Sequence, residues 1–278
     1  MPELPEVETV RRDVHAEFAG LVVEDVRATG VRTLRRHGRP GELVERARGH
    51  KLVGTGRRGK YLLLGLDSGD VVVVHLGMSG QLLRAQAGQA QVRHTHVVFG
   101  FEGGVELRFV DPRTFGEVFV AGPAGVDMEL DELAHLGIDP LGGPGTEARF
   151  AGLLAGRGTR LKPLLMDQTR VAGIGNMYAD EILFEAGLRF DRPAGSLTGG
   201  EVRRLFRAMT ATLNRAIEHR GSSLADEQYR DLYGRVGDFQ RLHRVYAREG
   251  AACPRCATPI ARVKAGGRSN FFCPGCQR

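Results

Sequence analysis

The sequence predicts an α+β protein in three parts: an N-terminal helix with a β-sandwich, a helical domain, and a C-terminal four-cysteine zinc finger. Three observations carry this expectation. Short β-branched or apolar runs punctuated by glycine fill about 21–120, with no long helical stretch between them, the texture of a sandwich or barrel. From Thr146 to His219 apolar residues recur at three- and four-residue spacing, the period of a helix. All four cysteines lie near the end, as Cys253-x2-Cys256-x16-Cys273-x2-Cys276. The parts are set at 1–130, a linker at 131–145, 146–240 and 241–278.

Taken in order, Val7, Val10, Val14 and Phe18 share one helical face and Gly20 supplies a stop, giving a helix over 3–18. Strands follow at Leu21–Val26, Tyr61–Leu66, Val71–Leu76, His96–Phe101 and Val105–Val110. Gly122–Gly125 and Asp139–Gly145 read as linker. Helices are expected at Thr146–Ala155, Leu161–Met166, Met177–Ala186 and Gly200–His219. Gly173-Ile174-Gly175-Asn176 makes a turn between two of them. Asn176 then starts the second helix, where amide donors suit a phosphate, although by itself the string fits a plain helix cap better. The paired CxxC knuckles match a tetrahedral zinc site. Two disulfides are the alternative, disfavoured by the paired spacing and a reducing cytosol. A tetrathiolate shell is full, so one zinc ion would be structural.

The chain has 278 residues, 42% of them hydrophobic, enough for a core and more than one domain. Apolar runs such as Val71–Val74 are too short to span a membrane. The start has no basic-then-apolar leader, which predicts a cytoplasmic protein. A net charge of +6 and a pI near 9.4 suggest a polyanionic partner.

The most informative stretch is Pro2-Glu3-Leu4-Pro5-Glu6-Val7-Glu8-Thr9-Val10. A small residue after Met1 favours its removal, which would leave the secondary amine of Pro2 as the N-terminus. An α-amine titrates near pH ~8, so roughly a tenth is uncharged at neutrality, against well under a thousandth for lysine. An uncharged amine can attack an electrophilic carbon and form an iminium, with Glu3 beside it as acid or base. The same residues also make an ordinary helix start. Lysine is rare here, at 51, 60, 162 and 264 against 35 arginines. A retained lysine offers a proton that guanidinium holds too tightly to give up. Lys60, directly after Arg57-Arg58-Gly59, stands out for this reason, although a solvated hairpin lysine fits the same string.

PELPEVETV at 2–10, RRGKYLLL at 57–64, HLGMSG at 75–80, DPRTFG at 111–116, LMDQTRVAGIGNMYADEILFEAG at 165–187 and the cysteine array together resemble the formamidopyrimidine-DNA glycosylase family. These pieces occur in the family's order along nearly the whole chain. The resemblance implies a bacterial base-excision-repair enzyme with a helix-two-turn-helix domain and DNA in a cleft. It implies a monomer, at the nucleoid when bound, that acts on duplex DNA carrying 8-oxoguanine, formamidopyrimidines or abasic sites. Pro2 becomes the nucleophile, Glu3 the acid/base, Lys60 the proton donor in β-elimination and Arg268 a group at δ-elimination, with Glu6 in support. His94, Arg113, Arg157 and Asn176 become DNA-backbone contacts. Met78, Arg113 and Phe115 occupy the wedge positions that fill the gap left by an extruded base. Ser222–Asp238 is the expected lesion-recognition segment, and it departs from the family's pattern.

Two other readings compete. The sister family, endonuclease VIII, prefers oxidised pyrimidines; Leu4, where that branch usually has glycine, and the wedge residues favour the purine enzyme. A non-catalytic zinc-ribbon protein that recognises damaged DNA would not need the Pro2–Glu3 start.

Overall fold

The computed structural model describes residues 1–39, 41–122, 131–143, 146–224 and 228–278, with backbone alone at 131–132. Part of the expected linkers, and 225–227 within the expected recognition segment, lie outside the described residues. The described residues form two compact units: Met1–His135 with His219–Asp238, and Leu136–Glu218 with Phe239–Arg278.

In the first unit, helix α1 (Leu4–Phe18) starts at Glu3 with Pro5 in its first turn. Gly20, at φ +92°, turns the chain out of the helix in a conformation that suits glycine. Val7, Val10, Val14 and Phe18 are at most 1% exposed, and each such side chain contributes about 1.5–3 kcal/mol on leaving water. They pack on the inner faces of two antiparallel four-stranded sheets. In chain order the strands are β1 (Val23–Ala28), β2 (Leu52–Arg58), β3 (Tyr61–Leu66), β4 (Val71–His75), β5 (Gln81–Gln86), β6 (Thr95–Phe101), β7 (Val105–Val110) and β8 (Glu117–Ala121). One sheet runs β1-β6-β7-β5 and the other β2-β3-β4-β8. Alternating burial in β3 presents one of its faces to the core. Among the described residues two short helices join them, α2 (Glu42–Ala47) and α3 (Asp131–Ala134).

The second unit carries α4 (Thr146–Leu154), α5 (Leu161–Met166), α6 (Asn176–Ala186) and α7 (Gly199–Glu218), then the hairpin β9 (Ala261–Ala265) and β10 (Arg268–Phe272). The hairpin turns on Gly266 and Gly267, at φ +58° and +74°, the two-residue turn that matches strand twist. Phe184, Val245, Ile260, Phe271, Cys253 and Cys273 form its small core.

The sequence reading runs the helical part to residue 240. Instead His219–Asp238 packs in the first unit, where Tyr229 and Leu232 join the core and the chain bonds to α1. The Ser222 N–H donates to Glu6 Oε1 at 2.8 Å, and Arg220 pairs with Asp13.

Candidate functional site

Pro2 and Glu3 are buried at the start of α1, behind an exposed Met1. Glu6, 1% exposed, organises this end. Its Oε2 accepts the Glu3 N–H at 2.8 Å while its Oε1 accepts that of Ser222. Gly221 lies so close that an added Cβ would stand 2.7 Å from Glu6 Oε1.

Lys60 lies in the two-residue turn joining β2 and β3, where Gly59 adopts φ +56°. The side chain is mostly buried, at 8% exposure. The turn is fixed from behind. Arg57 Nη1 donates to the Gly59 carbonyl at 3.0 Å, and its Nε donates to Glu8 on α1 at 3.2 Å. Glu8 also takes Arg11 and Arg12, and these cations hold its carboxyl below the usual range against the opposing effect of burial. His75, at the end of β4, stacks on Tyr61 at 4.7 Å. Burial drives its pKa down to about 4; Glu117 opposes that, and Lys60 and Arg35 add to it. The imidazole beside Lys60 is therefore neutral at pH 7.

Met78 and Phe115 are 39% and 41% exposed, large apolar side chains facing solvent from two loops. Arg113 is exposed too, with its guanidinium carbon 5.1 Å from the Phe115 ring centre. The two loops meet at a fully buried carboxylate, Asp111. Its Oδ1 accepts the Ser79 hydroxyl at 2.5 Å and the Arg113 N–H at 3.2 Å, and its Oδ2 the Gly116 N–H at 2.7 Å. Its own N–H donates to the carbonyl of His94, a non-glycine residue at φ 66°. A Cβ on Gly77 would sit 2.6 Å from the Gly116 nitrogen, so only glycine lets the loops approach. Asp111→Ala strands several donors at once. We expect a loss of about 3 kcal/mol or more in urea unfolding; a loss under about 1 kcal/mol would mean that the loops hold themselves.

In the second unit, Asn176 opens α6 after a turn through Gly173 at φ +95°. Gln168 braces this turn, donating to the Met166 and Ile174 carbonyls and accepting the Gly173 N–H. Asn176 Oδ1 is buried with no hydrogen-bond partner among the described residues. Arg157 follows α4, half-buried, and its carbonyl accepts the Gly195 N–H. Arg268 is exposed at the first position of β10.

The strand behind Arg268 is tied to the helices by a buried ion pair, Lys162 Nζ to Asp180 Oδ1 at 2.7 Å. Lys162 also donates to the Ser269 carbonyl, and the Phe271 N–H donates to Asp180 Oδ2. Burial pushes Asp180 up to about 7 despite Lys162. The sulfurs of Cys253, Cys256, Cys273 and Cys276 all lie within 4.8 Å of one another and form no disulfide. Four ligands at about 2.3 Å around tetrahedral zinc place sulfurs roughly 3.8 Å apart, so the cluster fits one ion.

Three descriptions of known domains match this chain: formamidopyrimidine-DNA glycosylase N-terminal domain at residues 1–118, its H2TH domain at 136–228, and the zinc finger found in FPG and IleRS at 250–278. Formamidopyrimidine-DNA glycosylase of Pelotomaculum thermopropionicum is 41% identical over 278 residues, spanning 100% of this chain and 99% of its own. The chain belongs to the formamidopyrimidine-DNA glycosylase family. Among solved structures, the MutM (FPG) protein of Thermus thermophilus is 40% identical, with a TM-score of 0.87 over 99% of this chain and 98% of its own. A Lactococcus lactis FPG mutant bound to Fapy-dG-containing DNA is 30% identical, with a TM-score of 0.90 over 100% of both chains.

Of the residues expected from formamidopyrimidine-DNA glycosylase motifs, Pro2, Glu3, Lys60, Met78, His94, Arg113 and Phe115 share the first unit. Arg157, Asn176, Arg268 and the cysteines share the second. Asp111, Glu8, Arg57 and His75 escaped the sequence reading. All lie inside the family strings, but each also has a partner distant in sequence, Ser79 for Asp111, Arg57 for Glu8 and Tyr61 for His75, and no local spacing signals such pairs.

Proposed function

We propose that this chain is a bifunctional DNA glycosylase/AP lyase of base-excision repair that removes 8-oxoguanine and formamidopyrimidines from duplex DNA. The observation that carries the reading is whole-length kinship with formamidopyrimidine-DNA glycosylases combined with an intact Pro2–Glu3 start on a rigid helix. The Fapy-dG bound to the Lactococcus lactis relative supports the substrate class. Exposure of Met1 suits its removal, which frees the Pro2 amine.

The Pro2 nitrogen attacks C1′ of the flipped nucleotide, and the bond from C1′ to the damaged base breaks. Glu3 exchanges protons at the sugar as its ring opens to the iminium. Loss of the C2′ proton then breaks the 3′ C–O bond, with Lys60 as proton donor. A second elimination breaks the 5′ bond near Arg268, whose role is electrostatic because guanidinium hardly deprotonates. Met78, Arg113 and Phe115 fill the vacated stack and offset an unstacking cost of a few kcal/mol. His94, Arg157 and Asn176 hold backbone phosphates. The four cysteines hold one zinc ion, which keeps the hairpin of Arg268 folded. Among the described residues no helix is long and apolar enough to cross a membrane, and we place the protein, as a monomer, in the bacterial cytoplasm and on its DNA.

Borohydride should trap a covalent complex with an 8-oxoguanine duplex, the adduct mapping to the N-terminal peptide. An adduct on Lys60 would overturn the nucleophile but not the class. Trapping on thymine glycol in preference to 8-oxoguanine would move the chain to the pyrimidine branch.

A further inference from the structure

Arg220 is a non-glycine residue at φ 58°, a conformation with a steric cost for any residue that has a Cβ. Two carboxylates, one fully buried and one half-buried, hold it there. Its Nε donates to Asp231 Oδ2 at 2.7 Å, and its Nη2 donates to Asp13 on α1. Asp231 is fully buried and does more than pair. Its Oδ1 accepts the Tyr233 N–H at 3.0 Å and the Arg235 N–H at 2.9 Å, closing a tight turn. The Arg220 carbonyl accepts the Tyr229 hydroxyl at 3.1 Å, and the Asp238 N–H donates to the His219 carbonyl at 2.9 Å. A Cβ on Gly237 would stand 2.3 Å from the Gly221 carbonyl oxygen, so both ends of the segment are pressed together. Two residues beyond Arg220, the Ser222 amide meets the carboxylate that also holds Glu3.

We infer that Arg220 is a positioning residue for base release: through Asp13 and Asp231 it latches residues 221–224 and 228–237 to α1 and so fixes Ser222 against the Pro2–Glu3 end. The inference rests on the proposed role of Pro2. Pro2 and Glu3 themselves are placed by the core packing of α1, which does not involve Arg220. What the latch adds is a hold on the start of the chain beside them, whose later part is anchored separately by Tyr229 and Leu232 in the core. Its loss should therefore disturb the step in which a base must be held, and spare the step in which no base is present.

Arg220→Gly suits the test, because glycine adopts the same φ without strain while the latch is removed. Base release from an 8-oxoguanine duplex and scission of a preformed abasic duplex are measured in single turnover at saturating enzyme. Base release should fall between about ten- and a hundredfold, the range a misplacement near 1 Å produces, with abasic scission unchanged. Arg220→Lys, which keeps one charge but not the fork, should fall between. Equal losses in both steps, or none in either, overturn the latch. Hydrogen exchange reads the same device without catalysis: Arg220→Gly should lose protection at 219–238 while α1 keeps its own. If the wild-type protein neither releases base nor cuts the abasic duplex, the functional reading fails. The latch is then decided by exchange alone, and unchanged protection overturns it.

Discussion

Lys60→Arg is expected to bind duplex DNA normally yet lose at least about a hundredfold in scission of a preformed abasic site, the lower range of a general-acid contribution. Lys60→Ala should lose as much. The backbone of the turn that carries Lys60 is fixed by Gly59, Arg57 and Glu8, so it keeps its place when the head group is changed. Guanidinium keeps the charge but not the transferable proton. A lysine that only touched phosphate would behave differently. Arginine would then be nearly normal, and alanine would weaken binding and flatten its salt dependence by about one unit. Single-turnover cleavage at saturating enzyme separates the cases, and near-wild-type scission by the arginine variant would demote Lys60 to an electrostatic clamp.

Removing zinc should unfold the 250–278 ribbon and weaken binding to every duplex, damaged or intact. A structural zinc contributes on the order of 10–16 kcal/mol of apparent binding free energy, far more than the small apolar cluster under the hairpin could replace. Without the metal, Phe271, Ile260 and Val245 lose the frame that packs them. The bonds from Lys162 and Asp180 to the strand behind Arg268 then hold a chain with no fold of its own. Metal content measured alongside fluorescence anisotropy and limited proteolysis checks this. Full affinity after verified metal loss would show that the ribbon is dispensable for binding.

Where a run was contiguous, the sequence was readable almost to the residue. Tyr61–Leu66 and Val105–Val110 are strands as expected, and Leu161–Met166 is a helix. β2 was missed because Leu52–Arg58 holds two glycines and becomes a strand only by pairing with β3. β5 and α2 were missed because their local patterns are short and polar. The site divides the same way. Pro2, Lys60, Asn176 and Arg268 sit in strings whose chemistry is local, whereas Asp111 and Arg220 matter through partners far along the chain. The rarity of lysine singled out Lys60 from outside the fold. It applies equally to Lys162, which is buried against Asp180, while Lys51 and Lys264 are exposed. A compact ammonium fits where a guanidinium fork would not.

The double grip of Glu6 also constrains the order in which the protein can be made. Its carboxylate accepts one N–H three residues away and another 216 residues away. During synthesis α1 leaves the ribosome early, but the second donor follows only between about ten and forty seconds later at ~5–20 residues per second. Until then a carboxylate destined for the interior stays hydrated, and closure around the N-terminus waits for most of the chain. Such a late, long-range contact slows folding. It also means that a nascent chain has α1 and the strands of the first unit well before the Pro2–Glu3 end is closed over.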